Sequence, residues 1–128
     1  METRKELAKE RKACGRYNCA QAVASTYADV VGVDEETILA ATSAFGTGMG
    51  NMQGTCGALV GAGVVLGLAL KDRVEARRRM AGIMAKFQEW NNATRCCDLK
   101  GIGTGKPLRA CNDCVADAAE FLEEALES

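Results

Sequence analysis

Fourteen consecutive residues, Gly57 to Leu70, carry neither a charge nor a polar side chain. A helix made of them is apolar on every face, and such a helix is stable in water only where other elements cover it. The run is too short to cross a bilayer, which takes about 20 residues. It therefore predicts a helix from about Thr55 to Leu70 at the centre of a small domain. Glycines at 57, 61, 63 and 67 recur in it at four-residue spacings. Each costs the helix about 1 kcal/mol relative to alanine. The expected return is close approach of a neighbouring backbone or of a cofactor.

The rest of the chain supplies the cover. Residues 2–13 are polar and helix-prone, which reads as a solvated leading helix. Asn18 is a suitable cap for a helix running to Val31, with Cys19, Val23, Tyr27 and Val30 on one face. Gly32 stops it. Asp34 caps a third helix with Ile38, Ala41 and Phe45 inward, and residues 46–54 form a glycine-rich loop. Asp72 starts a helix that reaches Asn91, along which Ala76, Met80, Ile83, Phe87 and Trp90 make an apolar seam. Residues 92–107 read as a loop. A last helix starts near Leu108, with Leu108, Cys111, Val115, Ala118 and Leu122 buried. No strand, repeat or interdomain linker is visible. At 128 residues the expectation is a single all-α domain, a bundle of five to six helices around a glycine-rich central one.

The chemistry is in the sulfur. The chain has seven cysteines and no histidine. That removes Ser/His and Cys/His catalysis and every mixed His/Cys zinc site. A formal charge of -1 gives no reason to expect a nucleic-acid partner. The charged start, Met1-Glu-Thr-Arg-Lys-Glu6, has no apolar core after it, so no signal peptide is expected. With an odd number of cysteines this places the chain in a reducing cytoplasm, where thiols stay free, catalytic or metal-bound.

Cys56 opens the central helix directly after the glycine loop. Unpaired N–H groups and the helix dipole stabilise a thiolate there. Cys111 lies in the first turn of the last helix, where the same argument applies. Both are also small enough to be plain core residues. Cys111-Asn-Asp-Cys114 has redox or half-metal-site spacing, but no second C-x-x-C completes a zinc ribbon, and Cys114 by itself reads as packing. Cys96-Cys97 is a vicinal pair whose mutual disulfide would be strained. One of the two is expected to be a ligand or nucleophile and the other a bystander. Gly101-Ile-Gly-Thr-Gly-Lys106 is only superficially a P-loop, because Pro107 replaces the magnesium-binding hydroxyl and no strand precedes it.

Four segments in order resemble the C_GCAxxG_C_C family. They are Asn18-Cys-Ala-Gln-Ala-Val23, then Phe45-Gly-Thr-Gly-Met-Gly50 followed by Cys56-Gly-Ala-Leu-Val-Gly61, then Cys97-Asp-Leu-Lys-Gly101, and Cys111 with Val115. The resemblance covers roughly residues 14–126. It implies redox activity and four hallmark cysteines, which fall on Cys19, Cys56, Cys97 and Cys111. Cys14, Cys96 and Cys114 are then extras. Thr55 departs from the pattern, since the family usually has glycine there.

These four cysteines are thus the candidate catalytic, cofactor-binding and metal-ligating residues. They are expected to converge, with Cys56 at the mouth of the central helix and as the nucleophile. Two chemistries stay open. The thiolates hold an iron–sulfur cluster or another soft metal, or they cycle between dithiol and disulfide without a cofactor. A non-enzymatic zinc or copper(I) binder or sensor is a further alternative, as is a helical interaction module with buried structural cysteines. A redox partner protein is implied but not identified. The apolar seam allows a homodimer, and core packing accounts for it equally.

Overall fold

A computed structural model describes residues 2–127. Among these the chain is all-α. Its helices are α1 (Lys5–Ala13), α2 (Cys19–Thr26), α3 (Ala28–Val31), α4 (Glu35–Thr42), α5 (Gly57–Leu70), α6 (Arg73–Asn91), α7 (Cys96–Lys100) and α8 (Cys111–Glu127). Six of them have eight residues or more, and α3 and α7 are single turns.

The starts are set by the expected caps. Asn18 forms a full capping box with Gln21 at α2. The Asp34 carboxylate accepts the Thr37 N–H at α4, and Asp72 accepts the Val74 and Glu75 N–H groups at α6. Helix α5 lies at the centre, packed against α2, α3, α6 and α8. Its Ala58, Leu59, Ala62, Val65 and Leu66 are all fully buried. The cover thins toward its end, where Gly67 and Ala69 are exposed.

Two glycines allow the tightest of these contacts. A Cβ on Gly61 would lie 2.5 Å from the Ala20 carbonyl oxygen. One on Gly57 would lie 2.6 Å from the Phe45 oxygen and would also strike the Cys19 sulfur. Both are far inside van der Waals contact, so α2 reaches α5 only because these side chains are missing. The close neighbour is protein backbone.

Several expectations are corrected. Helix α2 stops at Thr26, and the break at Tyr27 (φ −114°) shifts the following turn so that Val30 is 39% exposed. The Tyr27 ring stays buried, and its hydroxyl donates to the Glu123 carboxylate on α8. On α4 the inward residue is Thr42, not Ala41, because its hydroxyl is satisfied by the Ile38 carbonyl. The glycine-rich loop winds into a tight turn, with left-handed φ at Thr47, Gly48, Met49, Gly50 and Met52. On α6, Ile83 and Phe87 are buried, but Trp90 is 52% exposed. It meets the buried Phe121 ring edge-on at 4.8 Å. Helix α8 begins at Cys111 because the Leu108 and Arg109 N–H groups both go to the Leu99 carbonyl, which leaves Leu108 outside the core.

Helix α1 is polar but docked on α8. Its Ala8 is fully buried, Lys5 pairs with Glu120 and Lys9 with Asp113. The Arg4 N–H donates to Glu123, and its guanidinium grips Asp29.

Candidate functional site

The site is built where helix starts meet. Cys19, Cys96 and Cys111 are the first residues of α2, α7 and α8, and Cys56 is the N-cap of α5. Cys114 lies three residues after Cys111, on the same face of α8. These five sulfurs line one cavity of about 60 Å³. All seven cysteines of the chain are free.

A short backbone pairing brings two of the five together. Thr55 and Arg95 form an isolated antiparallel bridge. The Cys56 N–H donates to the Thr94 carbonyl at 2.7 Å, and the Cys96 N–H donates to the Gly54 carbonyl at 3.0 Å. The start of α5 is thereby fixed beside the start of α7. Thr55, where the resemblance would place glycine, is a member of this bridge.

Cys56 has the most altered chemistry. The Cys114 thiol and the backbone at Ala58 and Leu59 favour the charged form of its sulfur. These effects outweigh burial and hold the Cys56 pKa below the ordinary thiol value of 9.0, with Lys100 helping through its charge. Ala58 and Leu59 are the second and third helical residues, whose N–H groups an N-cap side chain normally satisfies. Cys56 is the N-cap residue of α5, with no side-chain capping hydrogen bond.

Its neighbours behave in the opposite way. The neighbouring Cys56 and burial push the Cys114 thiol up. Burial raises Cys19, and the Cys56 charge raises it further, although the Thr47 N–H donates to its sulfur. Burial also raises Cys96, against the pull of Lys100. Cys56 is thus made more acidic than an ordinary thiol, and Cys19, Cys96 and Cys114 less so.

Of the four candidate residues, Cys19, Cys56 and Cys111 come together. Cys97 does not line the cavity. It is buried on another side of α7, where its sulfur lies 3.2 Å from the Arg95 guanidinium. Cys96 occupies the cavity in its place. Cys96 and Cys114 were the residues missed by reading the sequence. For Cys114 a signal existed, because an i,i+3 pair on a helix shares a face. For Cys96 none did, since the phase of a single-turn helix sets which of two adjacent residues points inward.

Among the described residues, no group of three or more His, Cys, Asp or Glu side chains is arranged to hold an ion. No helix among them is long and apolar enough to cross a membrane.

The sequence model of the family described as "Putative redox-active protein (C_GCAxxG_C_C)" matches residues 17–125. No curated protein and no solved structure matches the chain.

Proposed function

The chain belongs to the C_GCAxxG_C_C family, and on that basis we propose that its reaction is thiol–disulfide exchange, with Cys56 as nucleophile and Cys114 as resolving thiol. One observation carries the reading. Cys56 stands at the N-cap of α5 in one cavity with Cys114, and this neighbour and the helix start hold its pKa below the ordinary thiol value. A nucleophile, an activating helix start and a second thiol beside it are the parts this reaction needs.

The chemistry balances on these groups. The Cys56 thiolate attacks one sulfur of a disulfide R–S–S–R. The substrate S–S bond breaks, a Cys56–S–S–R bond forms, and one R–S⁻ leaves. Cys114 gives its proton to that leaving thiolate. Its sulfur then attacks Cys56 Sγ, which closes a Cys56–Cys114 disulfide and releases the second R–S⁻. Two electrons pass from the protein dithiol to the substrate. Run backwards, the same steps oxidise a dithiol substrate. Cys19, Cys96 and Cys111 line the same cavity and enter neither step.

The test uses the reduced protein and 2-hydroxyethyl disulfide, followed by trapping and mass analysis. Wild-type protein should lose two thiols and gain one Cys56–Cys114 cross-link. Cys114→Ser should stall as a mixed disulfide at Cys56, and Cys56→Ser should form no cross-link at Cys114, any reaction at the exposed Cys14 being common to all variants. A cross-link elsewhere, or full turnover by Cys114→Ser, would overturn the assignment.

A further inference from the structure

The cavity holds more than sulfur. Lys12, Lys100 and Arg109 line it together with the five thiols, and no aspartate or glutamate among the described residues does so. They come from three separate segments, the end of α1, the end of α7 and the connector before α8. All three are half-buried. Arg109 is held by Asp117, which accepts from it at 3.0 and 3.1 Å. Asp117 also accepts from Asn91 at 3.2 Å. This fixes the guanidinium and neutralises it.

Lys12 and Lys100 are different. Among the described residues neither has a carboxylate partner, whereas the neighbouring Lys5 and Lys9 of α1 both do. Lys12 acts by charge on Cys19, and Lys100 on Cys56 and Cys96. With Cys56 ionised, the cavity lining stays net positive. A cleft with a net positive lining raises the local concentration of anionic ligands.

The geometry points to a substrate class: small disulfides of carboxylate-bearing thiols, whose S–S bond enters the thiol cavity while their carboxylates lie on Lys12 and Lys100. Size agrees with this. A cavity of about 60 Å³ has room for a few non-hydrogen atoms, such as a disulfide and its flanking carbons, and none for a nucleotide or a folded partner's loop. Arg109 then acts as a fixed donor on the same wall. The inference rests on the proposed exchange at Cys56 and adds to it which disulfides are taken.

The experiment compares three probes of one size: dithiodiglycolate (two carboxylates), 2-hydroxyethyl disulfide (neutral) and cystamine (two ammonium groups). Each rate is divided by the rate of the same probe with free 2-mercaptoethanol, which removes intrinsic reactivity. The anionic probe should exceed the neutral one by about tenfold or more at low salt, and the cationic one should be slowest. The order should flatten in 1 M salt, where charges are screened beyond about 3 Å. It should flatten also in Lys12→Gln and further in the Lys12→Gln, Lys100→Gln double variant. The ratio is taken within one variant, so a change in the Cys56 thiolate fraction cancels. Equal normalised rates for all three probes would overturn the anionic preference and leave the exchange standing. Failure of all three to react would overturn the exchange itself.

Discussion

Replacement of Gly61 by alanine tests the packing that carries the site. The new Cβ would lie 2.5 Å from the Ala20 carbonyl oxygen and 3.1 Å from the Ala20 C and Cα. These are backbone atoms of α2, just after its Asn18 capping box, so relief requires α2 to move as a unit. Overpacking of this kind costs about 1–3 kcal/mol. Alanine returns about 1 kcal/mol in helix propensity. With backbone as the neighbour the upper part of the cost applies, and the net loss should be about 1–2 kcal/mol. At about 4 °C per kcal/mol for a domain of this size, the melting temperature should fall by about 4–8 °C. Gly67→Ala is the control on the same helix. Nothing lies within 4 Å of its Cβ position, and it is exposed. It should gain up to about 1 kcal/mol and melt up to about 4 °C higher. Thermal unfolding by circular dichroism under reductant reads both. Because α2 carries Cys19, the Gly61 variant should also change the rate of Cys56 alkylation, and the Gly67 variant should not. If Gly61→Ala is as stable as wild type, or if both variants shift the same way, the close-packing account fails.

Other outcomes follow from the same groups. Cys56 is depressed below 9.0, so its contribution to stability is full above 9.0 and is lost as the pH falls through its folded pKa. Cys19, Cys96 and Cys114 are raised, so theirs is full below 9.0 and is lost as the pH rises beyond it. Urea midpoints measured from pH 6 to pH 10 should therefore rise toward about 9 and then fall. A flat profile would mean that the thiol pair is not set as described. Tyr27→Phe removes a buried donor to Glu123, which the Arg4 N–H alone then serves. Chemical denaturation should show a loss of about 1–3 kcal/mol, and no loss would refute a role for this bond in joining α2 to α8.

Local signals in the chain were readable where local physics decides. Asn18, Asp34 and Asp72 cap helices because a short polar side chain there satisfies N–H groups a few residues away. Long helices with a strong apolar pattern, α5 and α8 above all, were placed to within a few residues. Less was legible where a neighbour decides. The break at Tyr27 depends on Glu123, nearly a hundred residues away. Leu108 is exposed because Leu99 holds its N–H, and α1 is docked because Glu120 and Asp113 sit opposite its lysines.

The same division runs through the site. The sequence by itself pointed to sulfur as the source of any chemistry, placed Cys56 at the start of the central helix, and pointed to close approach at the glycines of α5. Composition, apolar pattern and helix-end electrostatics are properties of nearest neighbours along the chain. Only the tertiary structure decided which sulfurs share the cavity. Cys96 entered and Cys97 did not because the Thr55–Arg95 bridge sets the phase of a one-turn helix. Cys114 became the partner of Cys56 because α8 packs on α5. Lys12 and Lys100 reached the thiols from opposite ends of the chain. Pairings of that kind depend on distances through space, which spacing along the chain does not contain.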